Sequence, residues 1–489
     1  MISDIEKWIW LDKEKYPGFQ NSSFSAMAEN KTGEYTVAEF LKKYQYEKNI
    51  KNVNIRFSAD TEVQLYCNGK VIATGPACVG GDFLFNDFPR PSHYASVVSY
   101  RPEKPELEFF ARVKLNPVGI NEYSKGHGGF MLTAEVEFCD GTKKIVCTDE
   151  TWLARRNGAF AAPYEFDSRV KPDEYDFAVL TPNIWHCITA PIPVRSEEEL
   201  FPVPALNSGE TGGYITVLPH EFKQLVLGYD KIYAGFVKLS VKTKGLLEMT
   251  VNCFETDEGG TWEKFAFDSD CEYRGFQLHS IGGYRVSLNN RSDSPAMVRI
   301  SMIATCYPVR DVCRTKTSDA ELNKVLEVCA HTLKYCRQSI HLDSLRHSEP
   351  LACTGDYYIE SLMTAFSYGD MALSEFDVIR TAELLRYHDG RMFHTTYSFD
   401  HSHAWGGSPL YSIPKALLGI DILEAGYRKI RLDPSLLGLE AASVEIPTPF
   451  GKISCIMKKG EKIKLNVPKE ITVEYKKIQI NKKFGASLK

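Results

Sequence analysis

The chain has 489 residues, 58 basic against 63 acidic side chains and a net charge of −5, with 43% hydrophobic and 25% charged residues. These values exclude a disordered, collagen-like or coiled-coil chain. The weak acidity gives no electrostatic reason to expect nucleic acid, whose phosphates need clustered Lys and Arg. The length fits about three domains, and the 12% of aromatic residues suits β-sandwich cores and stacking on apolar ring faces.

The N-terminal MISDIEKWIWLDKEKYPGF has no basic segment followed by an apolar one, so no secretory signal is expected. No apolar stretch approaches the roughly 18 residues of a membrane-spanning helix, and no membrane partner is expected. The 13 cysteines form no C-x-x-C pair, which argues against a zinc ribbon or a thioredoxin-type site. Free thiols without an export signal point to the cytoplasm. Neither a metal nor a cofactor is expected.

Residues 1–312 read as β. NVNIRFSAD, VQLYCNG, LEFFARVKL and GFMLTAEVEFCDG alternate or run apolar over strand lengths, separated by turns such as Asn68-Gly69 and Asp140-Gly141. After the Pro-rich PIPVRSEEELFPVPAL a second set follows, including YAGFVKLSVKT, LLEMTVNCFE and AMVRISMIATCYPV. Many short strands at regular spacing predict two β-sandwiches, placed at 1–165 and 166–312. The segment TVAEFLKKYQY predicts one short helix within the first.

Residues 313–428 read as helical. In ELNKVLEVCAHTLKYCRQ, Leu322, Val325, Leu326, Cys329, Leu333 and Cys336 recur at helical spacing, and Ser318 with Glu321 forms a candidate capping box. DYYIESLMTAFSYG, ALSEFDVIRTAELLRYH and SPLYSIPKALLGIDIL are further amphipathic helices, the last carrying a helix-kinking Pro414. Residues 429–489 return to β and predict a small terminal sandwich or sheet. The fold class is therefore multidomain β + α.

Chemistry concentrates between Ser339 and Trp405. The loop Asp343-Ser-Leu-Arg-His-Ser-Glu349-Pro-Leu-Ala-Cys-Thr-Gly-Asp356 gathers three carboxylates with Arg346 and His347 between two helices. Glycoside hydrolysis needs a carboxylic acid for the departing oxygen and a carboxylate to activate water or attack the sugar. Crowding raises the pKa of the acid member. The plain structural alternative is that Asp343 caps, Glu349 is solvated, and Asp356 sits in the first turn of the next helix. A second cluster, His394-Thr-Thr-Tyr-Ser-Phe-Asp400-His401-Ser-His403-Ala-Trp405, offers imidazoles for hydroxyls and an indole face for a sugar ring. No carboxylate or cysteine is spaced to complete a metal site with those histidines.

These motifs resemble glycoside hydrolase family 78, the α-L-rhamnosidases. Its catalytic-loop pattern D-C-P-Q-R-x-E-R-x-G-W-x-G-D is similar to residues 343–356, with Asp343, Glu349 and Asp356 in register. His347 stands at the family's Arg and Cys353 at its Trp. S-H-A-W-G-G-S-P-L-Y resembles the late H-x-W-S-x-x-P segment, and P-T-P-F-G-K-I-S the C-terminal domain. The resemblance implies β-sandwich modules, an (α/α)6 barrel and a C-terminal β domain. It implies inverting cleavage of terminal α-L-rhamnose from glycans or glycosides, with Glu349 as general acid. Asp343, His347, Asp356, His403 and Trp405 would hold the sugar.

An (α/α)6 barrel needs twelve helices, and about four fit between 317 and 428. The barrel is therefore expected to be truncated, without an identified general base, since Asp400, Asp389 and Glu383 are all poorly placed. Exposed apolar helix faces would then pack on the sandwiches or on a second copy in a homo-oligomer. The alternative is a non-catalytic carbohydrate-binding relative.

Overall fold

The computed structural model describes residues 6–12, 14–16, 35–76, 93–115, 128–183, 185, 187–203, 213–256, 259–308, 314–344, 354–370, 372–377 and 409–475. Strands dominate. Ile50–Asp60 runs between Gly129–Phe138 and Tyr94–Tyr100 in a seven-stranded sheet. Thr36–Gln45 runs between Glu106–Leu115 and Leu153–Arg156 in a six-stranded one. Ile55, Phe57, Phe40 and Phe130 fill the first core, where Trp152 stacks on Phe109 at 6.2 Å. Asn68 (φ 50°) and Gly69 (φ 74°) close the hairpin between Glu62–Cys67 and Lys70–Gly75. Two consecutive positive φ values are what a two-residue type I′ turn requires.

The helix expected at TVAEFLKKYQY is instead the strand Thr36–Gln45. Val37, Phe40, Leu41 and Tyr44 fall at helical spacing because both faces of this strand are covered, which hides the two-residue alternation. Phe40 enters the first core and Val37 the second. Glu39 is 1% exposed and pairs with Arg112 at 3.0 Å, Arg155 at 2.7 Å and the Asn157 amide at 2.8 Å. Burial pushes its carboxyl up, but Arg112, Asn157 and Arg155 outweigh burial and hold it below its ordinary value.

A ten-stranded sheet follows. Its spine is the 21-residue strand Phe222–Lys242, paired with His279–Asn290 and Ala296–Cys306. The register shifts between Gly228 and Tyr233, and such an irregularity bends a strand. Leu239, Val251, Phe265, Phe267, Tyr284 and Ile300 belong to its core. Gln64 Nε2 donates to the Gly275 carbonyl at 2.8 Å, and Arg274 Nη2 donates to the Thr74 hydroxyl at 3.1 Å, tying the two β regions together.

Among the described residues the next region carries α1 (Ala320–Cys336), α2 (Thr354–Tyr368) and α3 (Pro409–Leu418), with a helical stretch at 372–377. The cap of α1 lies one residue beyond the expected Ser318. Asp319 accepts from the backbone N–H groups of Glu321 and Leu322 at 2.9 and 3.0 Å. Ser318 Oγ instead accepts from the N–H groups of Glu440 and Ala441 at 3.0 and 3.2 Å. Leu326 and Leu333 of α1 pack with Met363 of α2 and Leu410 of α3. Among the described residues these helices form a layer.

The layer rests on a four-stranded sheet built from Arg314–Thr317, Ala441–Thr448, Gly451–Lys458 and Lys464–Asn466. The strand just before α1 thus belongs to the same sheet as the strands after α3. No helix among the described residues is long and apolar enough to cross a membrane.

Candidate active site

At its C-terminal end α1 gives way to extended backbone at Arg337. The chain then doubles back, with Gln338 N–H donating to the Ile340 carbonyl at 2.8 Å and Leu342 N–H to Cys336 at 2.8 Å. Gln338 Nε2 donates to the Thr305 and Tyr335 carbonyls, both at 2.8 Å, fastening this turn to the last strand of the second β region. The pinned turn leads directly into the carboxylate motif.

His341 and Asp343 follow two residues apart, 0% and 7% exposed. His341 Nδ1 donates to Asp377 Oδ2 at 2.6 Å. In the neutral tautomer this sets, Nε2 is an acceptor, and it lies 2.9 Å from the Thr364 hydroxyl. Thr364 sits one turn beyond Glu360 on α2, and both are fully buried. Asp377 lies in a helical stretch whose Leu373 and Phe376 pack with Tyr94, Ile192 and Tyr307. Phe376 meets Tyr94 edge-on at 4.8 Å. Both β regions therefore help fix Asp377 against His341.

Arg337 adds a cation to this neighbourhood. It is 0% exposed, and its guanidinium carbon lies 4.7 Å from the Tyr307 ring centroid and 4.3 Å from that of Tyr368. Among the described residues its three side-chain nitrogens meet no hydrogen-bond acceptor. Burial pulls its pKa down, opposed by Tyr368, Asp370 and Tyr307. Burial also pushes the Tyr368 phenol up to about 12. Stacking between two aromatic faces is what attracts a desolvated guanidinium.

Of the site residues singled out in the sequence, the structure places Asp343, buried beside the His341 pair. Asp356 lies in the first turn of α2, one turn before Glu360, with its side chain outside the description. Glu349, His347, His403 and Trp405 lie outside the described residues, as do Asp389 and Asp400. Arg337, His341, Glu360 and Asp377 escape the sequence reading. A signal existed for two of them: His341 alternates with Asp343, and 356, 360 and 364 recur every four residues on one helix.

No known sequence-family profile matches the chain, and no curated protein matches it by sequence. Solved structures do match in fold. The family 78 rhamnosidase of Bacillus sp. GL1 superimposes with a TM-score of 0.71 at 11% identity, over 96% of this chain and 98% of that one. The α-L-rhamnosidase of Dictyoglumus thermophilum gives 0.67 at 12% identity, over 97% and 82%. That of Streptomyces avermitilis, complexed with L-rhamnose, gives 0.64 at 10% identity, over 91% and 68%. The chain thus has the fold of the family 78 α-L-rhamnosidases along most of its length.

Proposed function

We propose that this protein is a glycoside hydrolase of α-L-rhamnosidase type, acting on terminal α-L-rhamnose of a glycan or glycoside. One observation carries the reading: the rhamnosidase fold over 96% of the chain coincides with a carboxylate motif that starts at Asp343, on a turn fastened to the second β region. Loops held by a rigid scaffold are where catalytic groups belong.

In this reading Glu349 protonates the departing glycosidic oxygen. Water adds to the anomeric carbon from the opposite face, so the configuration inverts. Asp343 and Asp356 accept hydrogen bonds from sugar hydroxyls, His347 and His403 bond further hydroxyls, and Trp405 lends its face to the ring. The buried His341–Asp377 pair and Thr364 act at one remove, holding the backbone of the motif where α1, α2 and 372–377 converge.

An inverting reaction also needs a base about 6.5–9.5 Å from the acid, with room for water between them. Glu360 and Asp377 are 0% and 2% exposed, and Asp377 is committed to His341. Neither has access to water, so no base is assigned to them. The second reading is a non-catalytic relative that binds carbohydrate.

Hydrolysis of p-nitrophenyl α-L-rhamnoside separates the two. Wild type should release p-nitrophenol, and Glu349→Gln should lower the rate about 10²- to 10⁴-fold, the usual worth of a general acid, with little change in Tm. A wild type that binds rhamnose saturably without turnover establishes the second reading. Collapse of the fold in Glu349→Gln makes Glu349 structural.

A further inference from the structure

The second β region holds a group of side chains that the carbohydrate chemistry does not use. Leu247–Phe254, Thr261–Phe267 and the strand starting at His279 are neighbours in the ten-stranded sheet. Inward positions along the first two read Leu247, Met249, Val251, Cys253 and Glu263, Phe265, Phe267, with Val251 opposite Glu263. Glu263 thus occupies a place in an apolar row. It is 0% exposed, with Cys253 at 3% and His279 at 5%. His279 Nε2 lies 2.6 Å from Glu263 Oε1, and the Tyr273 hydroxyl donates to Oε2 at 3.0 Å. One ligating atom from each of Cys253, Glu263 and His279 falls within 4.8 Å of the others.

A carboxylate facing a sheet core costs several kcal/mol unless its charge is met. An imidazole and a phenol alone can meet it as hydrogen-bond donors, but that arrangement gives the thiol beside them no part. Thiolate, carboxylate and neutral imidazole together carry a charge of −2, which a divalent ion cancels. The mixture of sulfur, nitrogen and oxygen is the donor set of zinc, whereas magnesium and calcium take oxygen alone.

We propose that Cys253, Glu263 and His279 bind a zinc ion inside the second β region, with Tyr273 orienting the carboxylate. Binding displaces the thiol proton and any proton shared by Glu263 and His279, and those protons leave to solvent. The fourth position falls to a water or to the second carboxylate oxygen. The ion joins three strands that are 10 and 16 residues apart at the ligands, a spacing that matches no short zinc motif, which is why the sequence gives no hint of it. The role is structural, and it stands whether or not the protein hydrolyses rhamnosides.

The untagged full chain is stripped with a strong chelator and titrated with zinc and with cobalt(II). About one metal per chain is expected, with a rise in Tm on zinc addition. Cobalt should give the near-ultraviolet thiolate charge-transfer band, absent from Cys253→Ser. Glu263→Gln keeps an acceptor for Tyr273 and should bind zinc at least about tenfold more weakly, and Tyr273→Phe about tenfold, the usual scale for an outer-shell partner. A Tm insensitive to zinc, a cobalt band that survives in Cys253→Ser, or full zinc affinity in Glu263→Gln overturns the proposal and leaves a metal-free hydrogen-bonded core group. If Cys253→Ser does not fold, the Glu263→Gln and Tyr273→Phe affinities decide alone.

Discussion

Two buried carboxylate–imidazole pairs share a separation of 2.6 Å and little else: Glu263–His279 in the second β region and Asp377–His341 in the helical layer. The first is enclosed by sheet, among Phe265, Phe267 and Val251, with a thiol and a phenol beside it. The second bridges two separate backbone segments, is continued by Thr364, and has Glu360, Asp343 and Arg337 buried in the same layer. A pair inside a rigid sheet has its geometry set by strand register. A pair between a turn and a helical stretch sets the geometry itself, because those segments share no ladder. The same two groups are therefore held by one sheet in the first case and themselves hold separate segments of the candidate site in the second.

The sharpest way to break this contrast is Asp377→Ala. It strands His341 in the interior and should lower the unfolding free energy by about 3 to 5 kcal/mol, the scale for removing one partner of a buried pair, as read by urea denaturation. A loss under about 1 kcal/mol would mean that the pair does not fasten the 372–377 stretch. Next in size is Asp343→Asn, which preserves shape and removes charge. If Asp343 accepts from a sugar hydroxyl, kcat/KM on an aryl rhamnoside should fall about ten- to hundredfold, matching a charge-assisted hydrogen bond, while Tm stays nearly constant. A large fall in Tm with binding retained would place Asp343 among the fastenings.

The smallest effect is one of pH at the border of the two regions. His331 of α1 donates from Nε2 to the Ile232 carbonyl at 2.7 Å, and its ring meets Tyr233 and Tyr335 at 5.0 and 4.9 Å. Burial pulls its pKa below the ordinary value. A histidine depressed in the folded state stabilises fully above its unfolded pKa of about 6.5 and loses that contribution as pH falls through the folded value. Wild type should therefore lose Tm between about pH 6.5 and 5, and His331→Gln should lose less over the same interval. Parallel curves for the two proteins would remove His331 from the account.

Much of the fold was legible where one residue's conformation or one period decides it. Asn68-Gly69 announces its hairpin because few other dipeptides accept two positive φ values. Thr36–Gln45 misleads because covering both faces of a strand erases the alternation that identifies it. In the candidate site, Asp343 was legible from a local motif. His341 and Asp377 were not, since their meaning comes from contacts between residues 23 and 36 positions apart, which no local window samples. The proposed zinc ligands are hidden for the same reason.

The strand Arg314–Thr317 and the strand Ala441–Thr448 lie side by side, so everything from Ser318 to Glu440 leaves and returns through one doorway. Closing such an excursion grows costlier only slowly with its length, about 0.6 kcal/mol per doubling. The doorway can therefore hold a long helical annexe or a short one with almost equal ease, and changes in size within it need not be felt by the sheets on either side.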